Sequence, residues 1–400
     1  MGLNTANTGF MLLATSLVML MTPGLAFFYG GLVDKKNVLT IMMQSFVSLG
    51  ITTILWYAVG YSLSFSGGEG AVIGNLDKAF LMGVDSSTLI GDAGLPEYVF
   101  FAYQMMFAII TPALITGAFA NRIKFKAYLI FLVGWLLFVY FPFVHMVWGN
   151  GLLAKWGVKD FAGGITVHAT AGMAALASVF YVGKRKIVGH GPHDIPLVAI
   201  GTGLLWFGWY GFNAGSELKL DHFTVLAFVN TDIAASFAAI TWLIIEWRKE
   251  KKPKFIGLLT GAVAGLATIT PAAGYVTTNY AVVIGISAGI VSFMAVSLKN
   301  KLGWDDALDV WGVHGVGGIL GTILLGVFGA VNGVNGLISG NIKFFMIELL
   351  AVVIAGVYAF FFTYFMLILI NKITPVKVSE NEEEEGLDAV EHGEEAYLFG

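Results

Sequence analysis

Apolar residues fall in eleven long runs along the first 370 residues, and short polar connections separate the runs. An α-helix rises about 1.5 Å per residue, so runs of this length can cross a hydrocarbon core about 30 Å thick. The pattern therefore predicts an all-α polytopic membrane protein with eleven transmembrane helices. The predicted spans are 8–31, 38–65, 98–120, 126–148, 160–182, 195–215, 223–246, 255–271, 280–297, 308–328 and 342–370.

The basic residues are shared unevenly between the two sides that these spans define. Of the 22 lysines and arginines, most lie in the connections after odd-numbered spans and in the segment after the last span. The exceptions are Lys78, Lys155, Lys159, Lys219 and Lys343. Because cytoplasmic connections carry the excess of Lys and Arg, we predict that the N-terminus lies outside and the C-terminus lies in the cytoplasm.

One short pattern occurs twice in the chain. Residues 160–168 read DFAGGITVH and residues 306–314 read DALDVWGVH, so an Asp precedes a His by eight positions in both copies. A glycine follows each His by four positions, at Gly172 and Gly318. Two matched segments inside apolar spans indicate an internal duplication centred on the two histidines.

An odd number of spans gives the two halves of such a duplication opposite topologies. We therefore predict two inverted five-helix repeats, about 8–182 and 195–328, followed by an eleventh helix at about 342–370. These elements form a membrane domain over residues 1–370. The remaining residues, 371–400, contain a nearly continuous acidic run, and by composition they are predicted to form a solvated, flexible cytoplasmic tail.

The two histidines are the first candidates for chemistry. Eight helical residues rise about 12 Å, so His168 and His314 enter from opposite faces and reach nearly the same depth, near the midplane where inverted-repeat transporters keep their sites. Polar groups at that depth are costly and usually line a pathway. Two alternatives remain open at this point: buried structural histidines, or a pair that ligates haem iron.

Acidic residues near or inside the spans admit structural explanations. Asp160 and Asp306 are placed to cap the helices that they precede, and for Asp160 we add structural support of a cation site. Asp232 and Glu348 lie inside predicted spans. A charge there favours a function, but a carboxylate that joins two helices fits equally well, and we assign neither residue to transport.

Several aromatic residues lie near the predicted outer ends of spans 3, 4 and 6. Most aromatic residues in such a chain belong to interfacial belts and to the core. The alternative is a cation–π cage for a small cation, with a serine hydroxyl as hydrogen-bond acceptor. The residues concerned are Tyr103, Phe107, Trp148, Trp209, Phe212 and Ser216.

Composition narrows the functional class further. The chain is 57% apolar and only 12% charged, which is typical of a polytopic membrane protein and not of a soluble domain. It contains no cysteine, so no thiolate metal site exists. We find no phosphate-binding glycine loop and no Ser–His–Asp arrangement at an interface, and a net charge of −4 gives no indication of nucleic-acid binding. We predict no enzyme activity, cofactor or metal.

Longer motifs carry a resemblance to a known family. They are residues 160–167 (DFAGGITV) with Ala171 and Gly172, 183–185 (GKR), 206–216 (WFGWYGFNAGS), 270–275 (TPAAGY), 310–318 (VWGVHGVGG), 385–388 (EGLD) and 392–394 (HGE). Together these motifs, spread over nearly the whole chain, resemble those of the Amt/Mep/Rh ammonium transporters, and of the prokaryotic Amt branch in particular.

The resemblance implies a homotrimer with one pore per subunit, eleven spans and an outer N-terminus in the plasma membrane. It implies twin pore histidines at His168 and His314 and a gate of two rings at Phe107 and Phe212. It places an outer ammonium site at Phe107, Trp148 and Ser216, with Tyr103 beside it. Asp160, Trp209 and Asn213 would support these groups structurally.

The resemblance also implies a transport mechanism and a binding partner. Ammonium would be collected outside and deprotonated, and ammonia would pass the histidines with or without the proton. A trimeric signal protein of the PII type would bind on the cytoplasmic side, and the tail would regulate transport. The alternative is an ammonium sensor of the same fold that transports little.

Overall fold

The computed structural model describes residues 2–187 and 191–397. Eleven apolar helices follow the predicted spans. They are α1 Thr5–Leu32, α2 Lys35–Phe65, α3 Glu97–Ile115, α4 Phe125–Trp156, α5 Gly164–Val182, α6 Ile195–Glu217, α7 His222–Glu250, α8 Phe255–Ile269, α9 Thr278–Leu302, α10 Trp311–Phe328 and α11 Ile342–Asn371. Ten are long and apolar enough to cross a membrane, whereas α8 is shorter. The prediction of an all-α membrane protein is confirmed.

The connection between α2 and α3 holds the strands that the structure describes. Leu89–Ile90 (β1) pairs antiparallel with Leu95–Pro96 (β2). Two-residue strands bounded by Gly91 and Gly94, both with positive φ, form a tight hairpin rather than a sheet layer. The hydrophobic pattern of this Gly-rich and Ser-rich connection did not predict it.

Small residues let the helices approach one another closely. A Cβ atom on Gly201 of α6 would lie 2.2 Å from the backbone nitrogen of Phe28 in α1. In a bilayer, where lipid tails are as apolar as leucine, such close backbone packing replaces the hydrophobic effect as the source of helix association. The glycine content of the chain thus serves the packing of the bundle.

The two copies of the repeated motif fold in the same way. Both α5 and α10 begin with a π-helical turn, Gly164–Ala169 and Trp311–Gly315, and each turn contains the histidine of its copy. The carboxylate that precedes each turn accepts backbone N–H groups at its start. Because π-helical turns are rare and occur mostly at functional sites, two matched turns support the predicted duplication.

The glycine that follows each histidine lies where these two helices cross. A Cβ atom on Gly172 would lie 2.0 Å from the Cα atom of Gly315, and one on Gly318 would lie 2.7 Å from the Cβ atom of His168. Only hydrogen fits at either position. The close crossing places the two histidine-bearing turns side by side.

The segment after α11 differs from the solvated, flexible tail that its composition predicted. Its residues pack against the connections on the side of the bundle where α11 ends, which we call the tail side. Leu387 and Asp388 are buried, and Glu380–Glu385 forms a short helix, α12. The prediction was wrong because composition treats every carboxylate as needing water, whereas backbone N–H groups satisfy several of these.

Asp388 shows how the tail is held. Its carboxylate accepts hydrogen bonds from the backbone nitrogens of Leu39 and Thr40, at 3.0 and 2.8 Å, and from the Thr40 hydroxyl at 2.8 Å. These donors lie in the first turns of α2, where N–H groups lack partners within the helix and the helix dipole favours negative charge. Asp388 therefore caps α2 from the far end of the chain.

Other tail carboxylates bind further connections. Glu383 accepts hydrogen bonds from the backbone nitrogens of Lys186 and Ile187, at 2.6 and 2.9 Å. Glu382 pairs with Lys124, and this contact, together with hydrogen bonds from Ser379, lowers the pKa of Glu382 to about 2. Since the ordinary pKa of Glu is about 4.3, this contribution to docking is complete above about pH 4.3 and is lost only as the pH falls through about 2. The pair of Glu382 and Lys124 thus helps to hold the tail throughout the physiological pH range.

Replacing Asp388 with asparagine is expected to release the tail locally. The amide keeps one acceptor but loses the charge and the second acceptor, which costs about 2 kcal/mol. Backbone amides of residues 386–394 should then exchange hydrogen about 30-fold faster. The control is Glu380→Gln, whose exposed ion pair with Lys186 contributes little. Equal exchange in the two variants would contradict the capping role of Asp388.

Candidate functional site

A vestibule opens on the side of the bundle where α1 begins, which we call the N-terminal side. Its lining includes Gln104, Phe107, Trp148, Ser216 and Tyr275. These residues come from α3, α4 and α6 and from the connection after α8. Three of the four residues predicted for an outer substrate site, Phe107, Trp148 and Ser216, therefore share one cavity.

The aromatic rings of the vestibule are held at fixed angles. The rings of Phe107 and Trp148 are nearly perpendicular, at 89°, with centroids 6.0 Å apart. The Trp148 indole nitrogen donates to the backbone oxygen of Asp160 at 2.7 Å. Because this bond fixes the plane of the indole, its face is available to a cation in the vestibule.

Two side-chain oxygens face the same cavity. The Ser216 hydroxyl donates to the backbone oxygen of Phe212 at 2.9 Å, so its lone pairs are available to an incoming N–H group. The buried Oε1 atom of Gln104 has no hydrogen-bond partner among the described residues. Gln104 was not among the predicted residues, since an isolated glutamine in an apolar helix forms no pattern.

Tyr103 lies behind the vestibule and is not part of its lining. The ring is fully buried, and its hydroxyl donates toward the backbone oxygens of Gly211 and Phe212, at 2.9 and 2.8 Å. The hydroxyl also lies 3.3 Å from the Ser216 Oγ atom. The position of Tyr103 fits support of Phe212 and Ser216 better than direct contact with a cation.

Two phenylalanine rings close the inner end of the vestibule. Phe107 and Phe212 stack with centroids 4.2 Å apart and an angle of 29°. Phe107 lines the vestibule, and Phe212 lines a second, narrower cavity beyond it. The pair thus separates the two cavities, in the arrangement that the resemblance implied for a gate.

The second cavity contains the two histidines. The Nδ1 atoms of His168 and His314 are 3.2 Å apart, and the rings are nearly parallel at 19°. The structure thus places the two imidazoles side by side, at the positions that the helical spacing predicted. Direct contact between the rings leaves no gap for a porphyrin, so this geometry argues against haem ligation.

The contact between the rings fixes how they can bond to a third group. In a neutral pair only one Nδ1 atom carries the shared proton, so one ring presents Nε2 as an acceptor and the other presents Nε2–H as a donor. The buried Nε2 atom of His168 has no partner in the described chain. Leaving such an atom unpaired is costly, which is a mark of a site for a transient ligand.

The other walls of this cavity are apolar. They include Leu25, Ile110, Leu114, Val167 and Val263. Trp209 stacks on His168 with centroids 5.5 Å apart, while its indole nitrogen donates to the Thr270 hydroxyl at 2.9 Å. A full charge in such surroundings is expensive, whereas a small neutral molecule needs only a hydrogen-bond partner.

A third cavity continues from His314 to the tail side. It shares Phe28, Val263 and His314 with the second cavity and also reaches Asp309 and Arg185. The Arg185 guanidinium is held by Asp305, with Nη2 and Oδ1 2.6 Å apart. Burial opposes ionisation of Asp305, but Arg185 and Arg122 keep its pKa below the ordinary value. The three cavities lie in a row through the helix bundle, from the N-terminal side to the tail side.

Asp160 lies beside this row of cavities and supports the turn that carries His168. Its carboxylate accepts hydrogen bonds from four backbone nitrogens, of residues 163 to 166, at 2.6 to 3.1 Å. Three of these donors open the turn that carries His168, and the fourth, Gly163, directly precedes it. The structure therefore places Asp160 where a helix cap with a supporting role is expected, and its carboxylate is committed to the backbone.

The remaining predicted residues join helices. Asn213 donates to the Thr231 hydroxyl at 2.9 Å and so links α6 to α7. Asp232 accepts from the Tyr210 hydroxyl at 2.7 Å and from the Trp206 indole at 3.2 Å, across the same pair of helices. Both positions are those of structural support, the alternative that the sequence left open for Asp232.

Comparison with known proteins identifies the family. The model of the Ammonium Transporter Family matches residues 9–397. An ammonium transporter of Bacillus subtilis is 43% identical over 397 residues, which cover 98% of each chain. Mep2 of Candida albicans superposes with a TM-score of 0.88 at 33% identity, over 95% of this chain and 88% of that one.

A second solved structure, named Sensor Amt Protein, superposes with a TM-score of 0.89 at 30% identity, over 97% of this chain and 98% of that one. The relatives named above as transporters are not enzymes, in agreement with the prediction from the sequence. The resemblance read from the motifs is confirmed over nearly the whole chain. The chain belongs to the ammonium transporter family.

Proposed function

We propose that this protein collects ammonium in the aromatic vestibule, removes its proton and conducts ammonia past His168 and His314. The observation that carries the proposal is the hydrogen-bonded histidine pair, with an unpaired Nε2 atom, inside an otherwise apolar cavity. Such a pair offers a neutral molecule one acceptor and one donor. It offers a dehydrated cation too few interactions to compensate for the free energy of hydration that the cation has lost.

The vestibule and the cavity select the substrate in two steps. Ammonium and potassium are similar in size, so the cation–π face of Trp148 attracts both. Ammonium can also donate N–H bonds to Ser216 and Gln104. Ammonium can pass the stacked rings of Phe107 and Phe212 as ammonia, while its proton either returns to water on the vestibule side or follows along the two imidazoles. Potassium must remain charged and is excluded.

The setting of the protein is part of the proposal. We place the N-terminal side outside the plasma membrane and the tail side in the cytoplasm, because the basic connections lie on the tail side. A homotrimer and a PII-type signal protein on the tail side follow from the resemblance. The docked tail, whose acidic residues accept hydrogen bonds at the starts of α2 and α4 and in the connection after α5, supports a regulatory role for residues 371–400.

Currents in proteoliposomes on a solid-supported membrane test the proposal. Steps of ammonium and then of potassium should give a response for ammonium alone. An ammonium current would show that charge moves with the nitrogen, and alkalinisation of the vesicle interior without current would show passage of neutral ammonia. Silence in both assays would overturn transport and favour the alternative, an ammonium sensor of this fold.

Replacing Trp148 with leucine is expected to weaken substrate collection. The change removes the indole face that attracts a cation, an interaction of about 1 kcal/mol or more at a partly buried site. The half-saturating ammonium concentration should rise about fivefold or more, with the maximal rate much less affected. Phe361→Leu on the exposed surface of α11 is the control. Equal effects of the two substitutions would discredit the cage.

A further inference from the structure

Glu348 is a buried carboxylate that the pathway described above does not use. It lies in α11, outside the two predicted repeats, and no part of it is exposed. Its Oε1 atom accepts a hydrogen bond from the backbone nitrogen of Lys159 at 2.6 Å. Its Oε2 atom is buried and has no hydrogen-bond partner among the described residues. A carboxylate is expensive to bury in this state, so its presence needs an explanation.

The bond from Glu348 fixes a segment that supports both parts of the site. Lys159 directly precedes Asp160, whose backbone oxygen accepts from the Trp148 indole and whose carboxylate caps the turn of His168. One residue further on, the backbone nitrogen of Phe161 donates to the backbone oxygen of Pro271 at 3.1 Å. Residues 159–161 are therefore tied to α11 on one side and to the connection after α8 on the other.

We infer that Glu348 is a positioning residue for the ammonium site, acting through the Lys159 backbone on Asp160 and Trp148. This inference rests on the proposed function. Without the acceptor on α11, the backbone N–H group of Lys159 loses the hydrogen bond that joins its segment to α11, and the segment can relax. The Trp148 indole would then lose its fixed acceptor, and the vestibule would bind a cation less tightly.

Three variants test the inference through the response of proteoliposomes to ammonium, measured as current or as alkalinisation of the interior. Glu348→Leu removes the acceptor, and it is expected to raise the half-saturating ammonium concentration at least fivefold with the maximal response changed less than twofold. Glu348→Gln keeps a carbonyl oxygen in place of Oε1 and should remain within twofold of the wild type in both quantities. Thr363→Val is the matched control. Thr363 lies on the same helix as Glu348 but away from the vestibule, and the change removes a buried hydroxyl that accepts from the Trp135 indole.

Hydrogen exchange of residues 157–163 gives a second readout that does not depend on transport. Exchange should be at least tenfold faster in Glu348→Leu and unchanged in Glu348→Gln and Thr363→Val. Should Glu348→Leu fail to assemble, Glu348→Asp, which withdraws the carboxylate by one methylene, takes its place with the same expectations. If the wild type responds to no ammonium step, the proposed function fails, and exchange alone still decides the inference.

Two results would overturn the inference. Unchanged exchange and half-saturation in Glu348→Leu would show that the Lys159 bond does not position the site. Equal loss in Glu348→Gln and Glu348→Leu would show that the negative charge of Glu348 acts on the cation, rather than its hydrogen bond.

Discussion

Replacing His168 with leucine is expected to reduce ammonium transport at least fivefold while the protein still assembles. The substitution keeps the volume of the side chain roughly constant but removes both the bond to His314 and the free Nε2 atom from an apolar cavity. Loss of a hydrogen bond in such surroundings costs about 1–3 kcal/mol, which is about five- to 160-fold in the rate of passage. The measurement is the initial rate of the proteoliposome response to ammonium.

A second buried histidine supplies the control. His145 is as buried as His168, but both of its ring nitrogens contact backbone oxygens, of Ser64 and Gly70, each at 3.0 Å. It does not line any of the three cavities described above. His145→Gln should therefore lower thermal stability and leave the rate per assembled protein nearly unchanged. Full transport in His168→Leu would contradict the proposed role of the histidine pair, and loss of its assembly would favour a structural role instead.

The meeting of the two histidines could be predicted because their spacing is a local property of the sequence. Each His follows an Asp by eight positions, and the rise of a helix converts that spacing into depth. The orientation of the rings could not be predicted in this way. It depends on the π-helical turns and on the crossing of α5 and α10, which arise only when the two copies pack together.

Residues that act alone could not be assigned a role from the pattern. Gln104 and Glu348 are single polar residues in apolar helices. Gln104 lines the vestibule, and Glu348 accepts from a backbone nitrogen more than 180 positions away in the sequence. Trp209 was grouped with the outer aromatic residues, yet it stacks on His168 because α6 passes both cavities. Long-range partners of this kind become visible only in the folded chain.

The tail shows the same limit at the level of a whole segment. Its acidic composition is typical of a solvated end, and the hydrophobic pattern contains no span there. What docks it is the complementarity between carboxylates and unpaired N–H groups at helix starts and connections, as at Asp388 and Thr40. Composition shows that the tail contains many carboxylate acceptors, but it does not show where the backbone N–H donors lie.

The second large effect, on stability, is expected from replacing Gly172, the glycine at the crossing of α5 and α10. A methyl group on Gly172 would lie 2.0 Å from the Gly315 Cα atom and 2.1 Å from its nitrogen, both of which are backbone atoms that cannot rotate away. Gly172→Ala must therefore push α5 and α10 apart at the level of the histidine pair. Overpacking of this kind costs about 3 kcal/mol or more, and we expect a large fall in thermal stability or no assembled protein.

Two matched glycines turn this expectation into a graded series. A methyl group on Gly315 would meet the Trp311 ring and the Gly172 backbone at 3.1 to 3.2 Å, a milder conflict, whereas one on Gly203 of α6 has no neighbour within 4 Å in the described structure. Because alanine is the better helix former by about 1 kcal/mol, Gly203→Ala should be neutral or stabilising. Melting temperatures should then rank Gly203→Ala above Gly315→Ala and Gly315→Ala above Gly172→Ala. A Gly172→Ala protein as stable as the wild type would mean that the two histidine-bearing helices do not cross as closely as this site requires.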